Sequence, residues 1–385
     1  MRVIRETRFL VLAPDAFGTG GIERSTRTLI RALSERSAPG QVGVLSVWGG
    51  RVDLPADLPA IVVHKGRRTS GGRRVTLFEK VGFSMSALRA ARQWRGGLII
   101  FACHAHLAPV AFAASKIGHA PTVVWCHGDE VWRPQRWTVR ASLKRAGLVL
   151  APSEFTANQV SHWAGLRWPP RVLPHAVPPE LKPLGSSTVP GRVLAVARLE
   201  THDRYKGVDT LLRAWPKVLA MHPASELIVV GDGGDRARLE RLAGSWTDNR
   251  IRFTGRIHDR ELRELYGSSA VFALPTAATV GRDAAGEGFG LVFLEAAAFG
   301  LPVVAGRSGA VPEVVEDGRT GLLVDPDDPA AVANAIGTLL RDPSLRTRLG
   351  RAARSRVQTR FTFEAFGDGI EAMLHDLLSG SRNDS

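Results

Sequence analysis

The chain has 385 residues, 44% of them hydrophobic, with two cysteines and a formal net charge of +14. This length exceeds what one hydrophobic core usually organises, and the composition is that of an ordinary globular protein, so two domains are expected and a largely disordered chain is excluded. Cys103 and Cys126 form no C-x-x-C pair, and no apolar run approaches the ~18 residues that span a bilayer, which excludes a disulfide scaffold and a transmembrane bundle.

In chain order, "RFLVLAP" (8–14) reads as a strand, "FGTGG" (17–21) as a glycine loop, and the stretch from Ile22 to about Ser34 as a helix. Further strands are expected at "VGVLSV" (42–47), "AIVVH" (60–64), "GLIIFAC" (97–103), "TVVWC" (122–126), "GLVLAP" (147–152) and "RVLP" (171–174). "PPELKPLGSSTVPG" (178–191) is rich in Pro, Gly and Ser and reads as a linker. The pattern then restarts, with strands at "RVLAVAR" (192–198), "ELIVVGDG" (226–233), "IRFTG" (251–255), "AVFALP" (270–275), "LPVVAG" (301–306) and "TGLLVD" (320–325), and a helical tail from Pro329 to Leu378. Continuous apolar strands alternating with helices predict parallel sheets covered on both faces. The fold class is α/β, with two doubly wound Rossmann-like domains facing a central cleft. The expected boundaries are 1–184 for the N-terminal domain, 185–191 for the linker, 192–360 for the C-terminal domain, and 361–385 for a C-terminal helix able to pack back on the N-terminal domain. Ligands in such sheets bind outside the carboxyl ends of the strands.

Three stretches would meet an anion there. In "GTGG" (18–21), Gly20 and Gly21 lead into a helix N-terminus and let backbone N–H groups approach closely. In "ARLETHDRYKG" (197–207), Arg198 closes a strand and Lys206 stands just before the next helix. "GEGFG" (286–290) supplies a second helix start. A cation about 4 Å from a phosphate is worth roughly 4 kcal/mol in a protein-like dielectric, whereas a helix N-terminus seldom exceeds about 2 kcal/mol, so Arg198 and Lys206 should dominate.

"EGFGLVFLEAAAFG" (287–300) sets two carboxylates around a glycine loop. A helix beginning near Phe289 puts Glu295 on one stripe with Leu291, Val292, Ala298 and Phe299. A lone ionised carboxylate on a buried stripe costs several kcal/mol unless its oxygens are satisfied, by an internal Arg or by a diol such as a ribose. Glu287, just ahead of the helix, is favoured there by the helix dipole.

The order of "FGTGGIER", "ARLE…YKG", "VVGDG", "EGFGLVFLEAAAFGLPVVAG" and "SGAVPEVVEDGRTGLLVDP" resembles retaining glycosyltransferases of the GT-B fold, the group 1 or family four enzymes that include bacterial mannosyl- and glucosyltransferases. The resemblance is dense over 190–330 and sparser before it. It implies that the N-terminal domain binds the acceptor and the C-terminal domain a nucleotide sugar. Carried over by position, Arg198 and Lys206 would hold the diphosphate, Glu287 the sugar hydroxyls and Glu295 the ribose. Backbone groups of Phe289, Gly290 and Leu291 would lie near sugar and phosphate, Gly20 and Gly21 beside the pyrophosphate, and Arg256 and Ile257 along the base. His127 matches the family's histidine near the donor sugar, while "PHAV" (174–177) departs from the usual Pro-Asn-Gly-Val at His175.

His104 and His106 are candidates for the acceptor side. Together with Cys103, Cys126 and His127 they suggest zinc, but the spacing fits no familiar metal motif and neighbouring strand residues face opposite ways. "DPD" (325–327) is read as a helix cap rather than a metal site. No metal or cofactor is expected.

The charge is uneven: residues 1–185 hold 26 Lys+Arg against 11 Asp+Glu, a net of +15, and residues 186–385 hold 25 against 26, a net of −1. A basic half implies an acidic partner. Its concentrations are "KGRRTSGGRR" (65–74) and "WRPQRWTVRASLKR" (132–145); the second, read as a helix with Trp132 and Trp137, suits an anionic bilayer surface. The expected activity is retaining transfer of a hexose from a UDP- or GDP-linked sugar to a hydroxyl of a glycan or lipid-linked acceptor. The expected location is the cytoplasm, including the inner face of the membrane. The alternatives are a nucleotide-sugar epimerase on the same scaffold and a basic nucleic-acid-binding protein; the second leaves the acidic residues of the C-terminal half unexplained, and no nucleic acid is expected as partner.

Overall fold

The computed structural model describes residues 5–16, 20–48, 61–62, 76–181, 187–244 and 250–380. They form two compact units, Met1–Ala176 with Phe363–Ser385, and Val177–Thr362.

The first unit is built on strands β1 (Arg8–Asp15), β2 (Val42–Trp48), β3 (Ile61–Val62), β4 (Leu98–Ala102), β5 (Thr122–Trp125), β6 (Leu148–Ala151) and β7 (Arg171–Val172). They pair in parallel in the order β3-β2-β1-β4-β5-β6-β7. Chain order therefore runs outward from β1 to β3 and resumes on the other side at β4, which places the reversal between β1 and β4. Phe9, Leu10, Val11, Leu12 and Ala13 are all buried, as a strand covered on both faces requires. The helix Gly21–Arg36 follows β1 and buries Leu29, Ile30 and Leu33. The helix Phe363–Ser379 belongs to this unit: Ile370 and Leu374 join its core, the Phe366 ring lies 5.7 Å from Trp125, and Arg36 and Arg171 pair with Asp368 and Asp376 at 3.0 and 2.7 Å.

The second unit repeats the design with β8 (Arg192–Val196), β9 (Glu226–Val230), β10 (Ile251–Gly255), β11 (Val271–Leu274), a small antiparallel pair β12 (Ala278–Thr279) and β13 (Ala285–Gly286), then β14 (Val303–Gly306) and β15 (Gly321–Val324). The main sheet is parallel in the order β10-β9-β8-β11-β14-β15, with its reversal between β8 and β11.

Several sequence expectations need adjustment. The change of unit falls between residues 176 and 177, ahead of the 185–191 linker. The reason is local: Val177 packs in the second core and donates its N–H to the Phe361 carbonyl at 2.9 Å. The helix after "GEGFG" runs Leu291–Ala298, so it starts two residues later than predicted, and it is buried from Phe293 through Ala298 rather than along one stripe. It packs against the helix Pro343–Arg360 as well as the sheet, which leaves it no free side. The predicted 132–145 helix is only Trp137–Leu143, and Trp132 is a core residue whose indole N–H donates to Thr156 Oγ1 at 3.3 Å. The helix that follows "DPD" is capped by Asp328, one residue beyond the motif, through Ala330 N and Ala331 N at 2.7 and 3.1 Å. The stretch 65–74 and Gly18 and Thr19 of the first glycine loop lie outside the described residues. Among the described residues no helix is long and apolar enough to cross a membrane.

Candidate active site

The exits of β8 and β11, the strands on either side of the second reversal, are locked together. After β8 the chain makes a 3₁₀ helix, Thr201–Lys206, closed by Gly207 at φ +75°. A Cβ on Gly207 would stand 2.0 Å from the Pro275 carbonyl oxygen, so only glycine permits this approach. Ala277, just past β11, donates its N–H to the Tyr205 carbonyl at 2.7 Å.

This frame holds the predicted cations. Arg198 grips Asp203 with both arms of its guanidinium, Nε to Oδ2 and Nη2 to Oδ1, the latter at 3.0 Å. The Asp203 side chain is 1% exposed and that of Arg198 56%, so a buried carboxylate anchors a cation that stays open to solvent. Arg204, next in sequence, is bound to structure instead: with Arg238 it holds Asp235, which keeps that carboxyl well below the usual carboxylate range. Lys206 forms an ion pair with Glu287 Oε2, the two side chains being 17% and 16% exposed. Burial opposes the ammonium charge, but the Glu287 carboxylate outweighs it and raises the lysine pKa above its ordinary value. The other oxygen of Glu287 accepts from Gly290 N at 3.0 Å. Gly290 takes φ +99° and opens the helix Leu291–Ala298. One carboxylate thus ties the β8 exit to the second helix start.

Phe289 turns its ring into the core, 5.9 Å from Phe361, and Leu291 is half-buried. Glu295 is buried and accepts the Tyr266 hydroxyl proton at Oε2, 3.1 Å away. Tyr266 lies on the helix Asp259–Ser268 and is fully buried. Arg256 is exposed and Ile257 half-buried in the turn after β10.

The first unit gathers its candidates at the carboxyl ends of its own strands. Gly20 precedes the helix Gly21–Arg36 in extended conformation, and a Cβ there would meet Glu23 Oε2 at 2.3 Å. Gly21 is exposed. After β4, His104 Nδ1 accepts from His106 N at 3.2 Å, and the two rings lie 4.9 Å apart. Desolvation lowers His104 to about 4 despite the carboxylates of Asp129 and Glu23, and lowers His106 as well. After β5, His127 Nε2 lies 3.1 Å from the Cys103 carbonyl oxygen. A carbonyl only accepts, so the proton sits on Nε2 and Nδ1 is a bare acceptor. That Nδ1 is buried with no hydrogen-bond partner among the described residues. Burial, with His175 and His104 adding, holds His127 well below its ordinary pKa. His175 stacks on it at 5.6 Å and is lowered to about 3 by burial.

Sequence reasoning missed three supporting residues. Glu130 accepts from His127 N and Gly128 N at 2.6 and 2.7 Å, and burial raises its carboxyl to about 7. Asp203 reads in the sequence as one of several solvated charges. Tyr266 carried a weak signal as one of only two tyrosines in the chain. Among the described residues no group of three or more His, Cys, Asp or Glu is placed to hold a metal ion.

Two reversed parallel sheets, and at the second reversal a pair of cations braced by carboxylates beside a glycine-opened helix, define a nucleotide-sugar glycosyltransferase of the GT-B fold. Comparison with known proteins specifies the family. The description "Glycosyltransferase Family 4" matches residues 19–181 and "Glycosyl transferases group 1" matches residues 190–342. The GDP-mannose-dependent alpha-(1-6)-phosphatidylinositol monomannoside mannosyltransferase of Mycolicibacterium smegmatis is 33% identical over 304 residues, 73% of this chain and 76% of that protein. The GDP-mannose-dependent monoacylated alpha-(1-6)-phosphatidylinositol monomannoside mannosyltransferase of Corynebacterium glutamicum is 31% identical over 291 residues, 71% and 75% of the two chains. The chain belongs to the group 1, family 4 glycosyltransferases. Its fold is also that of sucrose-phosphate synthase from Thermosynechococcus elongatus, with TM-score 0.79, 23% identity and coverage of 97% and 100%. HepE of Anabaena, solved in complex with UDP, matches with TM-score 0.77, 21% identity and coverage of 96% and 100%.

Proposed function

We propose that the chain transfers mannose from GDP-mannose to a hydroxyl of a lipid-linked, inositol-containing acceptor, with retention at the anomeric carbon. The reaction rests on one observation, the Lys206–Glu287 pair hydrogen-bonded to the helix start at Gly290, with Arg198 across the same strand exits. The choice of donor and acceptor is supported by relatives above 30% identity whose names specify GDP-mannose and phosphatidylinositol mannosides. Their alpha linkage also supports retention, since an α-linked product from an α-linked sugar nucleotide keeps the configuration.

In this reading Arg198 and Lys206 hold the diphosphate and stabilise the negative charge that grows as the sugar–oxygen bond breaks. The acceptor oxygen bonds to the anomeric carbon on the face the diphosphate leaves, and its proton passes to a diphosphate oxygen. Glu287 exchanges its lysine contact for sugar hydroxyls, the backbone of Phe289, Gly290 and Leu291 lies along sugar and phosphate, and Glu295 accepts from the ribose. Arg256 and Ile257 flank the base. Gly20, Gly21 and the bare Nδ1 of His127 take part in donor binding, and His104 and His106 serve the acceptor. Two cations supply the positive charge, so no metal or other cofactor is required. A lipid-linked acceptor and a cytoplasmic sugar nucleotide place the work at the inner face of the membrane.

The test is a thermal-shift comparison of GDP with UDP, followed by product analysis with GDP-mannose and phosphatidylinositol monomannoside. A midpoint raised at low concentration by GDP and not by UDP, with an α-linked mannoside formed, is the expected result. A rise with UDP alone overturns the donor assignment, and release of free mannose or an epimerised donor without any glycolipid product overturns the transfer.

A further inference from the structure

Three rings meet at the carboxyl ends of the first sheet. Trp125 ends β5, and His127, two residues on, falls on the same side of the pleat; their ring centroids are 4.8 Å apart. His175 comes from the turn after β7, two strands away in the sheet. Its ring lies 5.1 Å from Trp125 and 5.6 Å from His127, and is within 18° of parallel to the latter. All three side chains are buried, and Phe366 backs Trp125 at 5.7 Å. The His127 imidazole therefore has an indole against it and a second imidazole stacked on it, which leaves the ring little room to turn. The stacked ring is this chain's own feature, since "PHAV" departs from the family pattern at His175.

A second constraint acts on the backbone. Glu130 Oε1 accepts from His127 N at 2.6 Å and Oε2 from Gly128 N at 2.7 Å, so one buried carboxylate spans both N–H groups of the turn. Gln135 Nε2 donates to the carbonyls of Glu130 and Arg133 at 2.6 and 2.8 Å, which ties the loop that follows to the same place. A third constraint fixes the proton: Nε2–H faces the Cys103 carbonyl at 3.1 Å and leaves Nδ1 as an acceptor. A carboxylate and two imidazoles are costly to bury, and apolar side chains would fill the same space without that desolvation penalty. What Glu130 and His175 have in common is contact with His127, one through its backbone and the other through its ring. We propose that Glu130 and His175 are positioning residues for His127, Glu130 setting the path of its backbone and His175 the plane of its ring, so that Nδ1 is presented as a fixed hydrogen-bond acceptor. This rests on the reading in which His127 takes part in donor binding, and adds two residues that act on the sugar only through it. A sugar hydroxyl that donates to Nδ1 then meets an acceptor already oriented, and the bound sugar is held in one place.

Kinetics and nitrogen NMR of the full chain test it. With GDP-mannose and phosphatidylinositol monomannoside, Glu130→Gln sets an amide NH2 against one of the two N–H donors and should lower kcat/KM for GDP-mannose about 10- to 100-fold. His175→Ala should lower it about 10-fold, and His175→Phe, which keeps a flat ring, should recover most of that loss. GDP carries no sugar and should bind all three variants within about two-fold of the wild type. In a His127→Ala background neither Glu130→Gln nor His175→Ala should cost more than about two-fold. In nitrogen spectra of histidine-labelled protein, His127 should show a protonated Nε2 and a bare Nδ1. The Nδ1–H tautomer should appear in Glu130→Gln and His175→Ala and not in His175→Phe. Glu130→Gln and His175→Phe are close in size to the residues they replace, so the test does not depend on the fold tolerating a cavity. Losses that multiply fully with His127→Ala, GDP affinity that falls in step with turnover, or a His127 tautomer unmoved in Glu130→Gln and His175→Ala overturns the proposal. The spectra need no substrate: if His127→Ala turns over as the wild type does, the donor role of His127 falls, while the tautomer still decides whether Glu130 and His175 hold its ring.

Discussion

The Lys206 ammonium meets the Glu287 carboxylate across 81 positions of sequence, and the same carboxylate accepts the N–H of Gly290. A strand exit, a loop and a helix start are thereby fixed by one acidic side chain. The pair also keeps both charges compensated where each side chain is mostly out of solvent.

The two partners should fail differently. In the proposed reaction Lys206 faces the leaving group, so Lys206→Ala should lower turnover on the order of 10²–10³-fold and GDP affinity with it. Glu287→Gln keeps the lysine charge and retains an acceptor for Gly290, so, if Lys206 holds the diphosphate as proposed, GDP affinity should stay within a few-fold while turnover drops. Calorimetric titration with GDP beside steady-state rates separates them. Equal loss of GDP affinity in both variants would contradict the division of roles.

Asp203 should act through Arg198. Asp203→Asn preserves size but loses the charge-assisted bidentate grip, and the guanidinium is then free to sample other rotamers. A misplacement of about 1 Å costs on the order of 10²-fold in rate. Turnover of Asp203→Asn should therefore fall about 10- to 100-fold, and adding Arg198→Ala should cost little more. Fully multiplicative losses in the double variant would show that Asp203 acts independently of Arg198.

The sheets were legible because their strands are unbroken apolar runs such as "FLVLA" and "LIVV", and the cations stood out because Arg198 closes such a run and Lys206 comes just before the next helix. The supports were not. Asp203 sits among five charged or polar neighbours and betrays nothing of its burial, since burial comes from the turn that Gly207 and Pro275 make together. Glu295 was conspicuous as a carboxylate in an apolar helix, but its Tyr266 contact joins two helices 29 residues apart, beyond any local pattern. The helix Phe363–Ser379 showed its apolar face through Phe366, Ile370 and Leu374; which core would receive that face is a tertiary fact.

Tyr266 tests how much of Glu295 is structural. Tyr266→Phe removes a buried donor to the Glu295 carboxylate, at a cost of about 1–3 kcal/mol. The thermal midpoint should fall by several degrees, with GDP affinity nearly unchanged. Glu295→Gln should behave in the converse way, weakening GDP about 10-fold and abolishing any preference for GDP over its 2′-deoxy analogue. A Glu295→Gln protein that still prefers the ribose form would remove that residue from nucleotide recognition.

Acid stability should be set by the histidines of the first unit. His104 and His175 are lowered to about 4 and about 3, and His127 well below its ordinary value, in each case chiefly by burial. A histidine kept neutral in the fold binds its proton more readily once unfolded. Each therefore contributes stability that is complete above the ordinary value near 6.5 and is lost as pH falls from there toward the folded pKa, at about 1.4 kcal/mol per pH unit. Glu130 works in the other direction: its carboxyl is raised to about 7 by burial, so between its ordinary value and 7 the folded state holds the extra proton, and stability from this group grows as pH falls. His106 is lowered by burial as well; one acid offsets one histidine, and the others prevail, so the thermal midpoint should decline from pH 6.5 toward 4.5. His175→Asn removes one titrating group and should flatten that slope, whereas Glu130→Gln should steepen it. Midpoints measured every half pH unit on the three proteins decide the matter, and a wild-type midpoint that rises on acidification would mean that the imidazoles are not held neutral.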